Sequence, residues 1–241
     1  MMKVFLTSSP CISGSPELNP ANGFVRQLMC CIPNPAHGLF ISASPSEIEL
    51  TEAIAQGMKE SIAEAGANFL TYRVLHDATA DMAPEWVAEA NFIILSGGHV
   101  PTQNAFFKRI HLDLLLQGYK GLLMGISAGS MNCAKWVYAM PELDGESTNP
   151  FYHRFIPGLG LTNTMIIPHF QKLRYESLDG KRLIEDIAFR DSMNRRFYAL
   201  PDGSYIYKNG SREQLHGPAW QVANGRLSVA NHEGEVLILE E

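Results

Sequence analysis

The sequence predicts an α/β fold: a parallel sheet with helices on both faces, finished by a C-terminal run of antiparallel β-hairpins. Two patterns carry that expectation. Through residue 195, short apolar β-rich runs alternate with segments of helical spacing, as they do where crossover helices join parallel strands. From Arg196 onward, short strands are separated by the turn pairs Asp202-Gly203, Asn209-Gly210, Asn224-Gly225 and Glu233-Gly234. The 241 residues fit one domain, with an α/β core over 1–195 and a β-rich extension over 196–241.

The elements follow in order. Lys3–Ser8 is the first strand, and a Ser/Pro/Gly loop runs from it to Asn22. Phe24–Cys31 forms a short helix stopped by Pro33 and Pro35, and Gly38–Ser42 is the second strand. Ser46-Glu47-Ile48-Glu49 reads as a capping box before a helix with Ile54, Ala55, Met58, Ile62 and Ala65 on one stripe. Gly66 closes it. Phe69–Leu75 is a strand, Pro84–Ala90 a helix and Asn91–Leu95 the fourth strand. Phe106, Phe107, Ile110 and Leu114 place a single helix over Gln103–Leu116. Leu122–Ile126 is the fifth strand, Ala128–Tyr138 a helix, and 141–160 a loop of the length that usually serves function. Thr164–Ile167 is a strand ending at Pro168-His169, and 176–191 an amphipathic helix.

Composition narrows the function. The 46% hydrophobic and 18% charged fractions are those of an ordinary globular chain. A formal charge of -6 argues against nucleic acid or an anionic membrane as the main partner. No apolar run reaches the roughly 20 residues that span a bilayer. The first ten residues read as a strand rather than a signal peptide, so the expectation is a cytoplasmic protein. Cys11, Cys30, Cys31 and Cys133 lack zinc spacing and read as reduced thiols. Neither a metal nor an organic cofactor is signalled.

Chemistry concentrates where apolar runs end in small residues. Gly125-Ile126-Ser127-Ala128-Gly129 has the G-x-S-x-G form of a nucleophile elbow, a strained strand-to-helix turn that only small neighbours let close. The same pattern also fits a plain glycine-rich turn. A serine nucleophile needs a base. Of eight histidines, His169 lies directly beyond a strand end, as Ser127 does, and strands of one parallel sheet would bring both to the same edge. Glu146 and Asp144 in the loop between them are the candidate acids. The backbone N–H groups of Ala128 and Gly98 are the candidate oxyanion hole.

Taken together, Gly97-Gly98 after the fourth strand, Gly125-Ile126-Ser127-Ala128-Gly129-Ser130 after the fifth, and Pro168-His169-Phe170 after the next resemble the peptidase E/cyanophycinase family of serine peptidases. The similarity extends to Ala199-Leu200-Pro201-Asp202-Gly203-Ser204-Tyr205-Ile206. The resemblance implies a flavodoxin-like sheet related to class I glutamine amidotransferase domains, with serine in place of their cysteine. It implies a Ser127, His169, Glu146 triad and a small peptide substrate cut beside aspartate. Gln103 falls where the family presents a polar substrate contact, although His99-Val100-Pro101-Thr102 departs from the family there. An aspartyl side chain calls for a fixed cation, and Lys172, Arg174 and Arg182 are the local candidates, Arg174 foremost. A homodimer is left open.

Two rivals remain. An α/β-hydrolase esterase shares G-x-S-x-G but takes its histidine far downstream, which would make Asp202 and His232 the partners of Ser127. A non-catalytic amidotransferase-like binding module would need none of them.

Overall fold

The computed structural model describes residues 1–239. Five strands of its central sheet are parallel: β1 (Lys3–Thr7), β2 (Ala36–Ile41), β3 (Phe69–Leu75), β4 (Phe92–Leu95) and β5 (Leu122–Ile126). They lie in the order β3-β2-β4-β5-β1. Counted from β2, this is the 2-1-3-4-5 order of a flavodoxin-like sheet, with the chain's first strand in fifth place.

Alternation along these strands feeds two cores. Val4, Leu6, Ile93, Leu95 and Leu123 face the helices α3 (Ala83–Glu89), α4 (Val100–Arg109), α5 (Leu112–Leu115) and α6 (Ala128–Asn132). Phe5, Phe92, Ile94, Leu122 and Met124 face the opposite way, onto Phe24 and Leu28 of α1 (Phe24–Met29) and Ala55 and Ile62 of α2 (Ile48–Glu64).

Beyond α6 the chain builds a second layer. A hairpin pairs β6 (Trp136–Tyr138) with β7 (Phe155–Pro157). Then follow β8 (Met165–Ile167), α7 (Phe170–Leu173), and a small hairpin of β9 (Ser177–Leu178) and β10 (Lys181–Arg182). A π-type helical segment, Leu183–Ala188, runs into α8 (Phe189–Asp191). The remaining strands are β11 (Arg196–Ala199), β12 (Tyr205–Asn209), β13 (Arg212–His216), β14 (Ala219–Ala223), β15 (Arg226–Asn231) and β16 (Val236–Leu239). A third core joins this layer, in which the Tyr138 ring stacks on Phe197 at 4.2 Å between centroids.

The tail is therefore not an appendage. β12, β13 and β16 extend the central sheet beyond β1, each antiparallel to the strand before it, while β15, β14 and β11 join β8 in a separate four-stranded sheet. Glu213 of β13 ties the two together. Its buried carboxylate accepts the hydroxyls of Thr162 (2.6 Å) and Thr164 (2.7 Å), just before β8, and the Lys208 ammonium (2.9 Å).

Four local expectations change. The helix expected over 103–116 breaks at His111, whose φ of 52° divides α4 from α5. The helix behind Ser127 stops at Asn132, because Trp136–Tyr138 pairs as a strand. Residues 177–182 form a hairpin instead of a helical turn, since Asp179 and Gly180 both take positive φ, as a two-residue I′ turn requires. The capping box also fails. Glu47 is the N-cap of α2, and no side chain caps it.

Candidate active site

The elbow stands at the carboxyl end of β5. Ser127 has φ 49° and ψ -111°, a strained backbone that lifts its side chain between the strand and α6. The flanking glycines have steric reasons to be there. A Cβ on Gly125 would lie 2.6 Å from the Ser130 nitrogen, and one on Gly129 would lie 2.3 Å from the Leu95 carbonyl oxygen. β1 braces the turn: the Ser127 N–H (3.0 Å) and the Ser130 hydroxyl (2.8 Å) both donate to the Thr7 carbonyl, and the Thr7 hydroxyl donates to the Gly125 carbonyl (2.8 Å).

His169 meets Ser127, with Nε2 3.0 Å from the serine Oγ. It arrives by an unexpected route. β8 belongs to the four-stranded sheet, so the histidine reaches over from the second layer rather than from a neighbouring strand of the same sheet. His169 itself takes a left-handed backbone (φ 53°), and its N–H donates to the Ser8 hydroxyl at 2.7 Å.

The acid beside His169 is Asp202, not Glu146. Nδ1 of His169 lies 2.7 Å from Asp202 Oδ1. Because a carboxylate can only accept, Nδ1 carries the proton and Nε2 is left to accept from Ser127. Asp202 sits in the turn after β11, where it also accepts from Ser8 Oγ (2.7 Å) and from Gln171 Nε2 (2.5 Å), and its N–H donates to Gln171 Oε1 (3.0 Å). Burial pushes its pKa up. The His169 and Ser8 hydrogen bonds, the His169 charge and the Gln171 amide outweigh this and hold the carboxyl below its usual value.

Glu146 is occupied elsewhere. One oxygen lies 2.9 Å from His99 Nε2, and the other accepts the N–H groups of Glu142 (2.8 Å) and Leu143 (3.0 Å). Burial raises its pKa, but those N–H groups and His99 outweigh it, so the group stays ionised. Its role is to fold the 141–147 loop against the end of β4. From the other side Asp179 accepts the N–H groups of Gly145 (2.8 Å) and Ser147 (3.1 Å). Asp144, the other candidate acid, is exposed.

Two further expectations fail. Gln103 is fully buried and donates to the Ser96 carbonyl (2.8 Å) while accepting from Asn132 Nδ2 (3.0 Å), so it supports the Ser96–Gly98 turn from beneath and cannot meet a substrate. Arg174 lies over the rings of Tyr175 (5.0 Å), Phe170 (5.5 Å) and Trp220 (5.9 Å), outside the lining of the cavity at Ser127. Arg182 pairs with Asp186 at 2.8 Å, and Lys172 is exposed. His232 lies far along the tail, where its N–H donates to Glu235.

Gly98 follows Gly97 in the turn after β4, and Ala128 follows Ser127 at the start of α6. Neither backbone N–H meets an acceptor among the described residues, and Gly97 packs against Ser127, with its Cβ position 3.4 Å from the serine Cβ. A cavity of about 240 Å³ opens beside Ser127 and His169. Its lining includes Glu142, whose pKa is pushed up to about 7 by burial and then by the Glu146 charge, the Val100 N–H offsetting this only in part. Glu142 remains solvent-accessible within the cleft despite the protein around it. Among the described residues, no group of three His, Cys, Asp or Glu side chains is arranged to hold a metal ion. No helix among them is long and apolar enough to cross a membrane.

A strained serine in a glycine elbow of a flavodoxin-like sheet, hydrogen-bonded to a histidine from a second sheet, has the arrangement of a serine hydrolase site. The profile of Peptidase family S51 matches residues 4–216, and the chain belongs to that family of serine peptidases. Two solved structures share its fold. A peptidase from an acI-B1 actinobacterium superposes with a TM-score of 0.65 at 18% identity, covering 99% of this chain and 97% of the other. A Listeria monocytogenes EGD-e protein assigned as a peptidase E superposes with a TM-score of 0.60 at 18% identity, covering 88% of this chain and 96% of the other. None of the curated proteins matches.

Proposed function

We propose that the chain hydrolyses small peptides through an acyl-enzyme, with Ser127 as nucleophile, His169 as general base and Asp202 as the acid that orients it. The reading rests on one chain of contacts, Ser127 Oγ to His169 Nε2 at 3.0 Å and His169 Nδ1 to Asp202 Oδ1 at 2.7 Å. As Ser127 attacks the scissile carbonyl, Nε2 takes its proton and Asp202 steadies the imidazolium. The N–H groups of Gly98 and Ala128 stabilise the oxyanion. The imidazolium then protonates the leaving amine, and a water activated by the freed Nε2 releases the acyl group.

Substrate size follows from the cavity, which is below the roughly 300–1,000 Å³ of clefts for drug-sized ligands. The aspartyl preference that the resemblance implies finds no support in the lining, where no Lys or Arg is present. Labelling by a fluorophosphonate tests the nucleophile. Wild type should be labelled and Ser127→Ala should not. Equal peptide hydrolysis by wild type and Ser127→Ala would end the proposal.

A further inference from the structure

Resting on Ser127 as the nucleophile, we propose that the cavity beside it takes an uncharged, apolar side chain from the acyl half of the substrate, and that Glu142 and Glu176 exclude an acidic one. The floor is made by the buried Met131, Met140 and Leu183. Leu173 and Leu178, partly buried, continue it as a wall. Met140 and Leu183 belong to the third core, so the floor is an outcrop of packed interior that has no side chain of the protein to cover it. An apolar group entering here removes water from several apolar side chains at once.

The rim has the opposite chemistry. Besides His169, the ionisable groups lining the cavity are the two carboxylates of Glu142 and Glu176, both solvent-accessible. Glu146 stands just behind, its carboxylate on the Glu142 and Leu143 N–H groups. Of the cations near in sequence, Arg174 stacks on aromatic rings, Arg182 pairs with Asp186, Lys181 donates to the Ser147 carbonyl, and Lys172 is exposed outside the lining. A substrate carboxylate would give up water to face like charges with no cation in the lining, whereas a leucine or methionine side chain would meet matching surface. Attraction by the floor and repulsion by the rim then work in the same direction, which is how selective sites separate competitors.

The test compares X-Ala dipeptides with X as Leu, Met, Asn or Asp, assayed on the full chain under conditions where both glutamates are ionised. Asn has the shape of Asp without its charge, so the Asn-to-Asp ratio isolates repulsion. Leu and Met should exceed Asp in kcat/KM on the order of 10- to 200-fold, the range of pocket discrimination. Glu142→Gln/Glu176→Gln should narrow the Asn-to-Asp ratio, and Glu176→Gln alone, an exposed change that leaves the loop intact, should narrow it in part. Asp-Ala as the best substrate, or a ratio unmoved in both variants, would overturn the proposal. Fluorophosphonate labelling in the same preparations separates the causes of failure. If Ser127 is labelled and Asp-Ala is cleaved best, the pocket assignment alone falls. If Ser127 takes no label and no dipeptide is cleaved, the serine-peptidase reading falls and the pocket with it.

Discussion

Ser8 holds both halves of the base at once: its hydroxyl donates to Asp202 Oδ1 and accepts the His169 N–H, each at 2.7 Å. Being fully buried, it does this without competition from water. Ser8→Ala should therefore lower kcat/KM about 10- to 100-fold, the equivalent of roughly 1.5–3 kcal/mol for a hydrogen bond to a charged group. Peptide kinetics with equal fluorophosphonate stoichiometry would check it, and unchanged kcat/KM would show that Ser8 positions nothing. The strand-end positions of Ser127 and His169 were readable in the sequence from flanking glycines and a strand-ending Pro-His, but their meeting was expected within one parallel sheet, and β8 lies in the other. Asp202 was not readable as their partner. In Pro201-Asp202-Gly203 it looks like an ordinary turn residue, and only the esterase reading, paired with His232, gave it a role. What brings it to His169 is the parallel pairing of β8 with β11, a long-range contact that no local spacing encodes.

The 141–147 loop is the element on which site geometry most depends, since Glu146 and His99 pin it from one side and Asp179 from the other. Glu142 is raised in the folded loop, to about 7 from 4.5. The folded state thus binds this proton more tightly than the unfolded chain does. The stability it contributes is full below about pH 4.5 and is lost as pH rises through 7. Glu142→Gln should gain stability relative to wild type between pH 5 and pH 8, read as a difference in Tm, with solvent access keeping the gain modest. A difference that stays constant over that range would contradict it. Gly129 sets a second constraint. Gly129→Ala brings a Cβ to 2.3 Å from the Leu95 carbonyl, so it should cost about 1–3 kcal/mol by urea unfolding and reduce Ser127 labelling. Element types were legible where periodicity was long, as in α2 and the five parallel strands. They failed at 103–116, 128–138 and 176–191, where positive φ at His111 and Asp179 and the pairing of β6 with β7 overrode a helical apolar stripe.

At the scale of the whole molecule, two sheets share one site. The elbow and the Gly97-Gly98 turn come from the central sheet, while His169 and Asp202 come from the ends of β8 and β11 in the other. Their relative placement passes through Glu213, whose three contacts span both layers. Glu213→Ala leaves Lys208 without its buried partner and should cost about 3–5 kcal/mol, measurable by denaturant unfolding. A loss below about 1 kcal/mol would show that the sheets are joined by apolar packing alone. In this arrangement the carboxylate beside His169 comes from the tail rather than from the loop between serine and histidine. The most direct test is therefore a paired measurement of peptide hydrolysis by Asp202→Asn and Glu146→Gln, with Ser127→Ala as the blank. Asp202→Asn should lose on the order of 10⁴ in kcat, while Glu146→Gln should keep kcat within about tenfold and act mainly through KM as its loop loosens. Near wild-type kcat in Asp202→Asn, with the large loss falling on Glu146→Gln, would contradict the assignment of Asp202.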